Sequence, residues 1–315
     1  MKITEKISLK SYHLLLSIIL IYLVIAPATG PLYHILIIFL LKAVILAQSI
    51  NIIAGYTGYV DFGHVAFFGI GTYVMAVLTR NFGVNPFIAV VAAGAGAIVL
   101  AAAIGAPTLR LRGAYFAIAT LSLNQTMMII VLNLPDEWMG GAIGIPNPPI
   151  YNPLISYYLM FILTVAIILT TYLIRESKFG VGLVAIREDE DAAAAMGLNT
   201  TYYKLTAFII SALFAGLAGG IDYWFMTYTQ PPDAFNIFIS VRMIIMAMLG
   251  GFGTVIGPII GAIILYIVEY YLWATQPQLY LMILGALIVG IVMFMPEGII
   301  GLLKRIFPQY RTRKF

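Results

Sequence analysis

Long apolar stretches separated by short polar breaks follow one another along nearly the whole chain. Each holds about 20 residues, the length that a helix needs to cross the hydrocarbon core of a bilayer. Prolines, such as the cluster in residues 146–153, mark the breaks. The pattern predicts an all-α, polytopic transmembrane helical bundle of about ten spans, or eight or nine if residues 53–63 or 248–262 are re-entrant. The predicted spans are about 12–29, 32–53, 62–79, 85–106, 114–134, 154–174, 204–226, 236–252, 256–274 and 279–303.

The amino-acid composition excludes an ordinary soluble domain. Only 10% of the residues are charged, whereas a soluble domain carries about 25%. We therefore expect a single transmembrane domain over residues 1–315. The first apolar stretch lacks a small-x-small cleavage site and is expected to stay as a membrane helix. The chain has no cysteine, so disulfides and thiol chemistry are excluded.

The basic residues predict the orientation of the chain. Cytoplasmic loops of membrane proteins carry an excess of Lys and Arg. With ten spans and both termini in the cytoplasm, most basic residues fall on the inside, which also explains the positive net charge without a nucleic-acid partner. The residues on the inside are Lys2, Lys6, Lys10, Arg110, Arg112, Arg175, Lys178, Arg187, Lys204, Lys304, Arg305, Arg311, Arg313 and Lys314.

One long cytoplasmic loop, residues 175–203, carries a compact charged island. Four acids, Glu188, Asp189, Glu190 and Asp191, precede a run of alanines and Gly197. Acids suit the first turn of a helix, alanines its middle and glycine its end. The island therefore predicts a short helix from about Glu188 to Gly197. It is either a solvated loop or a helix that docks on a partner.

Several stretches resemble the permease family of branched-chain amino-acid ABC importers. They are NIIAGYTGYVDFGHVAFFGIGTYVMAVL (51–78), TLRLRGAYFAIATLSL (108–123), AIREDEDAAAAMGLNTTYYKLTAFIISALFAGLAGG (185–220) and MLGGFGTVIGPIIGA (248–262). They occur in the family's order, and the RLRGAYFAIATL block resembles the M-type subunit more than its H-type companion.

The resemblance implies a set of partners. Such a permease forms a heterodimer with an H-type permease in the cell (inner) membrane, two cytoplasmic ATP-binding subunits drive it, and an external solute-binding protein delivers the solute. No cofactor is expected on this chain, because it lacks a phosphate-binding Gly-x-x-x-x-Gly-Lys-Ser/Thr loop. ATP and Mg would bind the partner subunits. The ATPase-coupling residues implied are Glu188, Asp189, Glu190, Asp191, Ala192, Ala193 and Gly197.

A glycine-rich segment interleaved with polar residues, GYTGYVDFGH, predicts a broken membrane helix that lines a pathway. The candidate substrate-pathway residues are Tyr56, Tyr59, Asp61, His64, Tyr115 and Phe116. Relatives typically carry Gln and Ser where this chain has Tyr59 and Asp61. Asp61 either lines the pathway or caps the next helix. Tyr115 and Phe116 either face the pathway or belong to an interfacial aromatic belt.

Two other groups of residues stand out inside the spans. The pairs Gly216 with Gly220 and Gly257 with Gly261 have the Gly-x-x-x-Gly spacing of close helix packing. Charged residues within spans are costly, and they either serve function, pair with each other or reach toward water. The charged residues concerned are Lys42, Asp222, Arg242 and Glu269, of which the last two are candidates for a pair.

The sequence indicates a transport subunit and not an enzyme. It shows no paired catalytic carboxylates or nucleophile constellation, and three scattered histidines predict no metal site. The alternative to an ATP-driven importer is a stand-alone channel or an ion-coupled secondary transporter for a small polar solute. The solute itself is left open among branched-chain amino acids, other amino acids, and urea or amides.

Overall fold

A computed structural model describes residues 31–275 and 298–306, together with residues 282–283, 285–286 and 289–290. The predicted span 12–29 lies outside the described residues, as does most of the predicted span 279–303. Within the described part the chain is mostly helical.

The long helices of the described part occur where the apolar stretches predict them, and shorter helices lie between them. A π-helical turn, Asn51–Gly55, extends α1, and a 3-10 turn, Pro148–Ile150, precedes α6. The α-helices are α1 Pro31–Ile50, α2 Val65–Asn81, α3 Pro86–Thr108, α4 Ala114–Asn133, α5 Asp136–Met139, α6 Pro153–Glu176, α7 Lys178–Glu188, α8 Glu190–Ala195, α9 Thr200–Met226, α10 Pro231–Ala234, α11 Ile237–Gly250, α12 Gly257–Thr275 and α13 Gly298–Ile306.

Six helical segments are long and apolar enough to cross a membrane, and two shorter apolar helices accompany them. The six are His34–Gly55, Pro86–Thr108, Ala114–Asn133, Pro153–Glu176, Thr200–Met226 and Pro231–Gly250; the shorter ones are Val65–Asn81 and Gly257–Leu272. Helices α3, α4 and α6 turn large apolar side chains outward, among them Val91, Val99, Ile118, Ile129, Ile162 and Leu169. An outer surface of this kind suits lipid rather than water, and the chain is a multi-pass helical membrane protein.

The two ends of the bundle differ. At one end, the sheet end, strand β1 (Ile145–Pro146) pairs antiparallel with β2 (Tyr228–Thr229), with Ile145 opposite Thr229. At the other end, the charged end, the short helices α7 and α8 connect α6 to α9. The charged island therefore lies outside the membrane-spanning part of the bundle.

Small residues bring the central helices into close contact. A Cβ atom added at Gly71 of α2 would overlap the carbonyl oxygen of Gly216 in α9. A Cβ atom at Gly220 would lie 2.8 Å from that of Ala93 in α3. Because helices in lipid associate through close packing rather than through hydrophobic exclusion, these contacts stabilise the centre of the bundle. Gly257 and Gly261 serve the neighbouring packing of α12, where a Cβ at Gly261 would overlap the carbonyl oxygen of Met246 in α11.

The helical segment Pro231–Gly250, whose longer part occupies the predicted span 236–252, is interrupted near its start. After the four-residue helix α10, Phe235 and Asn236 interrupt the helix, and α11 begins at Ile237. Phe235 is fully buried; its ring stacks on Tyr73 and lies against Gly69, both in the first half of α2. Since α2 ends at the sheet end, α11 begins well inside the bundle. Its 14 residues reach only about 21 Å along the axis, less than the roughly 30 Å of a hydrocarbon core.

We predict that Gly71→Ala lowers the stability of the purified protein. The added methyl group meets backbone rather than a flexible side chain, so α2 and α9 must move apart, at a cost of about 1–3 kcal/mol. Thermal unfolding in detergent, followed by tryptophan fluorescence, measures the change in midpoint. Gly290→Ala is the control, since no atom of the described residues lies within 4 Å of its added Cβ. Equal midpoints for both variants would contradict this packing.

Candidate functional site

The charged island folds as two helices joined at Asp189. The expectation of one helix beginning at Glu188 is wrong, because Glu188 ends α7 and Asp189 has extended backbone (φ −158°, ψ 108°). The carboxylate of Asp189 accepts hydrogen bonds of 2.9 Å from the backbone N–H groups of Asp191 and Ala192 and thereby caps α8. Gly197, just beyond α8, has φ 88°, which glycine adopts at little cost.

Glu190 is the centre of a polar cluster that we call the coupling network, formed by Tyr59, Arg112, Glu190, Asp191 and Lys204. Lys204 Nζ donates to Glu190 Oε1 at 2.6 Å, and the Tyr59 hydroxyl donates to Glu190 Oε2 at 2.5 Å. Lys204 Nζ also donates to the Tyr59 hydroxyl (2.9 Å) and to the carbonyl of residue 109 (2.8 Å). The three protons of a buried ammonium group thus have three acceptors.

The electrostatics of this network favour the ionised carboxylate. Burial alone raises the pKa of Glu190, but hydrogen bonds from Lys204 and Tyr59 and the charges of Lys204 and Arg112 outweigh burial and lower it. A carboxyl group whose pKa is lowered by folding stabilises the folded state at pH values above 4.5, the ordinary pKa of the group. That stabilisation is lost only as the pH falls through the lower, folded value. The network is therefore intact at neutral pH.

Arg112 joins the same network from the start of α4. Its guanidinium group donates to both carboxylate oxygens of Asp191, at 2.9 and 2.8 Å, and its Nε lies 3.6 Å from Glu190 Oε2. The Asp191 pair is solvent-exposed and contributes little stability. Its forked geometry instead fixes the direction of α8 relative to α4.

Arg187 connects the end of α7 to the helix break that follows Gly55. Its Nη1 donates to the carbonyl oxygen of Gly55 at 2.9 Å, where the π-helical turn ends. The Asn51 side chain in that turn accepts from Gly253 N (2.8 Å) and donates to Thr254 O (2.9 Å). The two glycine-rich segments of the sequence therefore touch beneath Arg187. π-Helical turns of this kind are frequent at functional sites.

Asp61 and His64 form a buried chain of hydrogen bonds. Asp61 Oδ1 accepts from Gly63 N, and Oδ2 lies 2.9 Å from His64 Nδ1. His64 Nε2 lies 2.7 Å from the hydroxyl of Ser49, which donates to Ser211 O. The Asp61 carboxylate thus closes the turn that leads into α2, and it does so in the protein interior.

The predicted pathway residues separate into buried and exposed positions. Tyr56, Tyr59 and Phe116 are buried, and Phe116 packs edge-on against Tyr59 with the ring centres 5.1 Å apart. Tyr115 is 75% exposed. Their role in a pathway stays a prediction.

An apolar cavity of about 600 Å³ lies between the segment that follows Gly55, the start of α4, and α11. Residues next in sequence to the predicted pathway residues line it. From the broken segment, Gly58, Val60 and Phe62 face the cavity, whereas Tyr59 and Asp61 face the protein interior. This alternation of successive side chains resembles that of extended backbone. Because the pathway candidates were chosen for their polar side chains, they include residues that face the protein interior instead of the cavity.

The four charged residues within the spans form two ion pairs. Lys42 Nζ lies 2.8 Å from Asp222 Oδ1, and Arg242 Nε lies 3.6 Å from Glu269 Oε1. The Arg242–Glu269 pair is the one considered from the sequence. The Lys42–Asp222 pair joins residues 180 positions apart and has no local sequence signal. Among the described residues, no group of three or more His, Cys, Asp or Glu side chains could hold a metal ion.

Comparison with known proteins defines the class. Residues 32–292 match the branched-chain amino acid transport system permease component family. The chain is 30% identical over 303 residues to the high-affinity branched-chain amino acid transport system permease protein LivM of Escherichia coli, covering 86% of this chain and 69% of LivM. Identity to LivM of Salmonella typhimurium is 30% over 308 residues, with the same coverage.

A second permease type is also similar to the chain. LivH of Escherichia coli is 27% identical over 282 residues, covering 82% of this chain and 90% of LivH. No solved structure matches. This multi-pass helical protein is therefore a membrane transport subunit and not an enzyme. It belongs to the branched-chain amino acid transport system permease family.

We predict unequal effects of removing the two cations of the coupling network. Lys204→Met leaves the Glu190 carboxylate largely buried without its main partner and should cost roughly 3–5 kcal/mol. Arg112→Met removes an exposed ion pair that solvent screens, so it should change the stability little. The midpoint of thermal unfolding in detergent should therefore fall clearly more for Lys204→Met. Similar shifts for the two variants would argue against the central role of Lys204.

Proposed function

We propose that this chain is the M-type permease subunit of an ATP-driven importer that moves branched-chain or related amino acids into the cell. ATP hydrolysis, with its Mg, takes place in two ATP-binding partner subunits, and an external solute-binding protein delivers the solute. A related H-type permease completes the membrane part. Family membership supports the proposal, and the observation that carries it is the coupling network, which fastens α8 to the broken helix.

The two faces of α8 have different tasks in this proposal. Glu190 and Ala193 face the protein, whereas Ala192, Ala194 and Met196 are exposed. Small exposed side chains beside a large apolar one allow close approach by a partner subunit. An ATP-binding subunit that seats this face and changes shape would pull on α8. Glu190 and Arg187 would then transmit the movement to Tyr59 and Gly55 in the broken helix.

In the proposed topology the chain lies in the inner membrane, with its charged end in the cytoplasm. The chain crosses the membrane ten times, and both of its termini are cytoplasmic. The excess of basic residues at the charged end supports this orientation. The sheet end then faces the solute-binding protein.

We predict opposite labelling of single cysteines placed at the two ends. The chain has no native cysteine, so Ile143→Cys at the sheet end and Met196→Cys at the charged end are each unique. Both positions are more than 80% exposed. In intact cells, a membrane-impermeant thiol reagent should label Ile143→Cys alone, and permeabilisation should add Met196→Cys. Labelling in the reverse order would refute the orientation.

We predict that Met196→Arg releases the ATP-binding subunit. The side chain is 86% exposed, so the substitution should leave the fold intact while placing a charge in an apolar contact. Recovery of the ATP-binding subunit with the tagged chain, measured by quantitative mass spectrometry, should fall at least about tenfold, equivalent to roughly 1.4 kcal/mol. Ile143→Arg, equally exposed at the sheet end, should retain it.

Two outcomes would contradict different parts of this proposal. Full recovery of the ATP-binding subunit with Met196→Arg would overturn the contact assigned to α8. Transport by the purified chain alone in liposomes without ATP would overturn the proposed function in favour of a channel or a secondary transporter.

A further inference from the structure

Helix α4 turns one whole side away from the rest of the described chain. Of the six long apolar segments it is the least buried, with 22% of its most apolar 18 residues buried inside the protein. Its buried residues recur at intervals of four or seven positions and therefore lie on one side of the helix. They are Phe116, Thr120, Asn124 and Val131. The opposite side is the outward face of α4.

The outward face carries polar side chains near the middle of the span. Ser122 and Thr126 are exposed, and Gln125 between them is partly buried. The two hydroxyl groups donate to carbonyl oxygens of α4 itself, at 2.9 Å in each case. The Gln125 amide, which can both donate and accept, forms no hydrogen bond with the described residues. An amide without a partner is costly in hydrocarbon, so lipid does not suit this part of the face.

Helices α3 and α6 show how the chain builds a surface for lipid. The exposed large side chains in the middle of these two helices are all aliphatic: Val91, Val99, Ile162, Val165 and Leu169. Where α6 has a threonine near its middle, Thr164, that side chain is buried. The chain thus keeps polar groups away from lipid on two helices and departs from this on α4.

The outward face of α4 continues into the apolar cavity of about 600 Å³. Gly113, Ala114 and Ala117, at the start of α4, form one wall of this cavity. Another wall is the irregular segment after Gly55. Irregular backbone at membrane depth is tolerated only against protein or water. A protein that covered the outward face of α4 would therefore lie next to a second feature that needs shielding from lipid.

A second permease of the same family is the partner that fits this face. Helices in lipid associate through close packing and through hydrogen bonds between polar side chains, and the Gln125 amide offers such bonds. The chain is similar both to LivM and to LivH, so two related permease types exist that share its family features. Two subunits of one fold pair about an approximate twofold axis, at which similar surfaces meet.

We propose that the outward face of α4 is the surface on which the second permease subunit packs. The Gln125 amide forms hydrogen bonds across the contact, and Ile118 and Ile129 pack on either side of it. The cavity at the start of α4 then adjoins the contact between the two subunits. This surface rests on the proposed import function and deepens it, because it assigns the place where the partner permease is bound.

A bulky side chain on the face tests the contact. Ile118→Trp on α4 and Ile162→Trp on α6 are a matched pair, because the two isoleucines are 62% and 60% exposed. The complete importer is purified from its native membranes through a tag on this chain, and the second permease is quantified by mass spectrometry. Its recovery should fall at least tenfold with Ile118→Trp and stay within about twofold with Ile162→Trp. Equal recovery with both variants would overturn the proposal.

Gln125→Leu tests the hydrogen bonds without adding bulk. The substitution replaces the amide with an aliphatic group of similar size, so recovery of the second permease should fall at least threefold. Thr126→Val is the control on the same face, since its hydroxyl group is satisfied within α4, and it should stay within about twofold. Unchanged or increased recovery with Gln125→Leu would show that the amide takes no part in the contact.

Photo-crosslinking identifies what covers the face. An amino acid with an aliphatic diazirine, similar in size to isoleucine, replaces Ile129 or, as the control, Ile162. Irradiation of the membranes should join position 129 to the second permease and position 162 to lipid. Adducts of position 129 with lipid alone would overturn the surface, and a product of two copies of this chain would overturn the assigned partner.

The accessibility of Ser122 separates a protein contact from a water-filled pathway. Ser122→Cys in the otherwise cysteine-free chain should resist a water-soluble maleimide in the assembled importer. Rapid labelling there would overturn the contact in favour of a pathway along α4.

The surface and the proposed function fail in different ways. Absence of any second permease from the importer purified with the unmodified chain would count against the proposed function. A second permease that is recovered with the unmodified chain, and undiminished with Ile118→Trp and Gln125→Leu, would overturn the surface alone.

Discussion

The ammonium group of Lys204 is the interaction on which the charged end depends. It lies near the start of α9 and donates hydrogen bonds to three separate elements. A buried ammonium group is tolerated only when all of its protons are accepted. Its three acceptors must therefore be in place together: the carbonyl at the end of α3, the Tyr59 hydroxyl and the Glu190 carboxylate. The need to satisfy this one ammonium group thus positions both α8 and the segment that carries Tyr59.

Breaks in the helices obey the same rule within the membrane. Irregular backbone in a bilayer persists only where protein or cavity water satisfies its polar groups. The break after Gly55 is satisfied by Arg187, the turn after α11 by Asn51, and the break at Phe235 by Asn124, whose side chain donates to the Phe235 carbonyl at 2.8 Å. The break after Gly55 and the turn after α11 both line the cavity of about 600 Å³, which links irregular backbone to open space in the bundle.

Sequence reasoning predicted the long helices well and the contacts between them poorly. Helices α3, α4 and α6 begin and end within about two residues of their predicted bounds, because the thickness of the hydrocarbon sets the length of each apolar stretch. The start of α9 extends four residues beyond the prediction, because its first turn is polar and Asn199 caps it by accepting from Tyr202 N.

The candidate site was only partly predictable. Glu190 was selected as part of an acidic run, but its partners Tyr59 and Lys204 lie 131 and 14 residues away, and no local pattern connects them. The break at Asp189 was also missed, since its own side chain caps the second helix and thereby competes with a continuous one. Lys42, Asp222, Arg242 and Glu269 were visible as costly charges, whereas the pairing of Lys42 with Asp222 depends on the fold.

The overlap between Gly71 and Gly216 has a mechanical consequence. Helices that touch backbone to backbone are locked in register, because any sliding brings a bulkier neighbour into the contact. Helices α2, α3 and α9 therefore form one rigid block. Under the proposed import function, changes of shape therefore take place in segments outside this block.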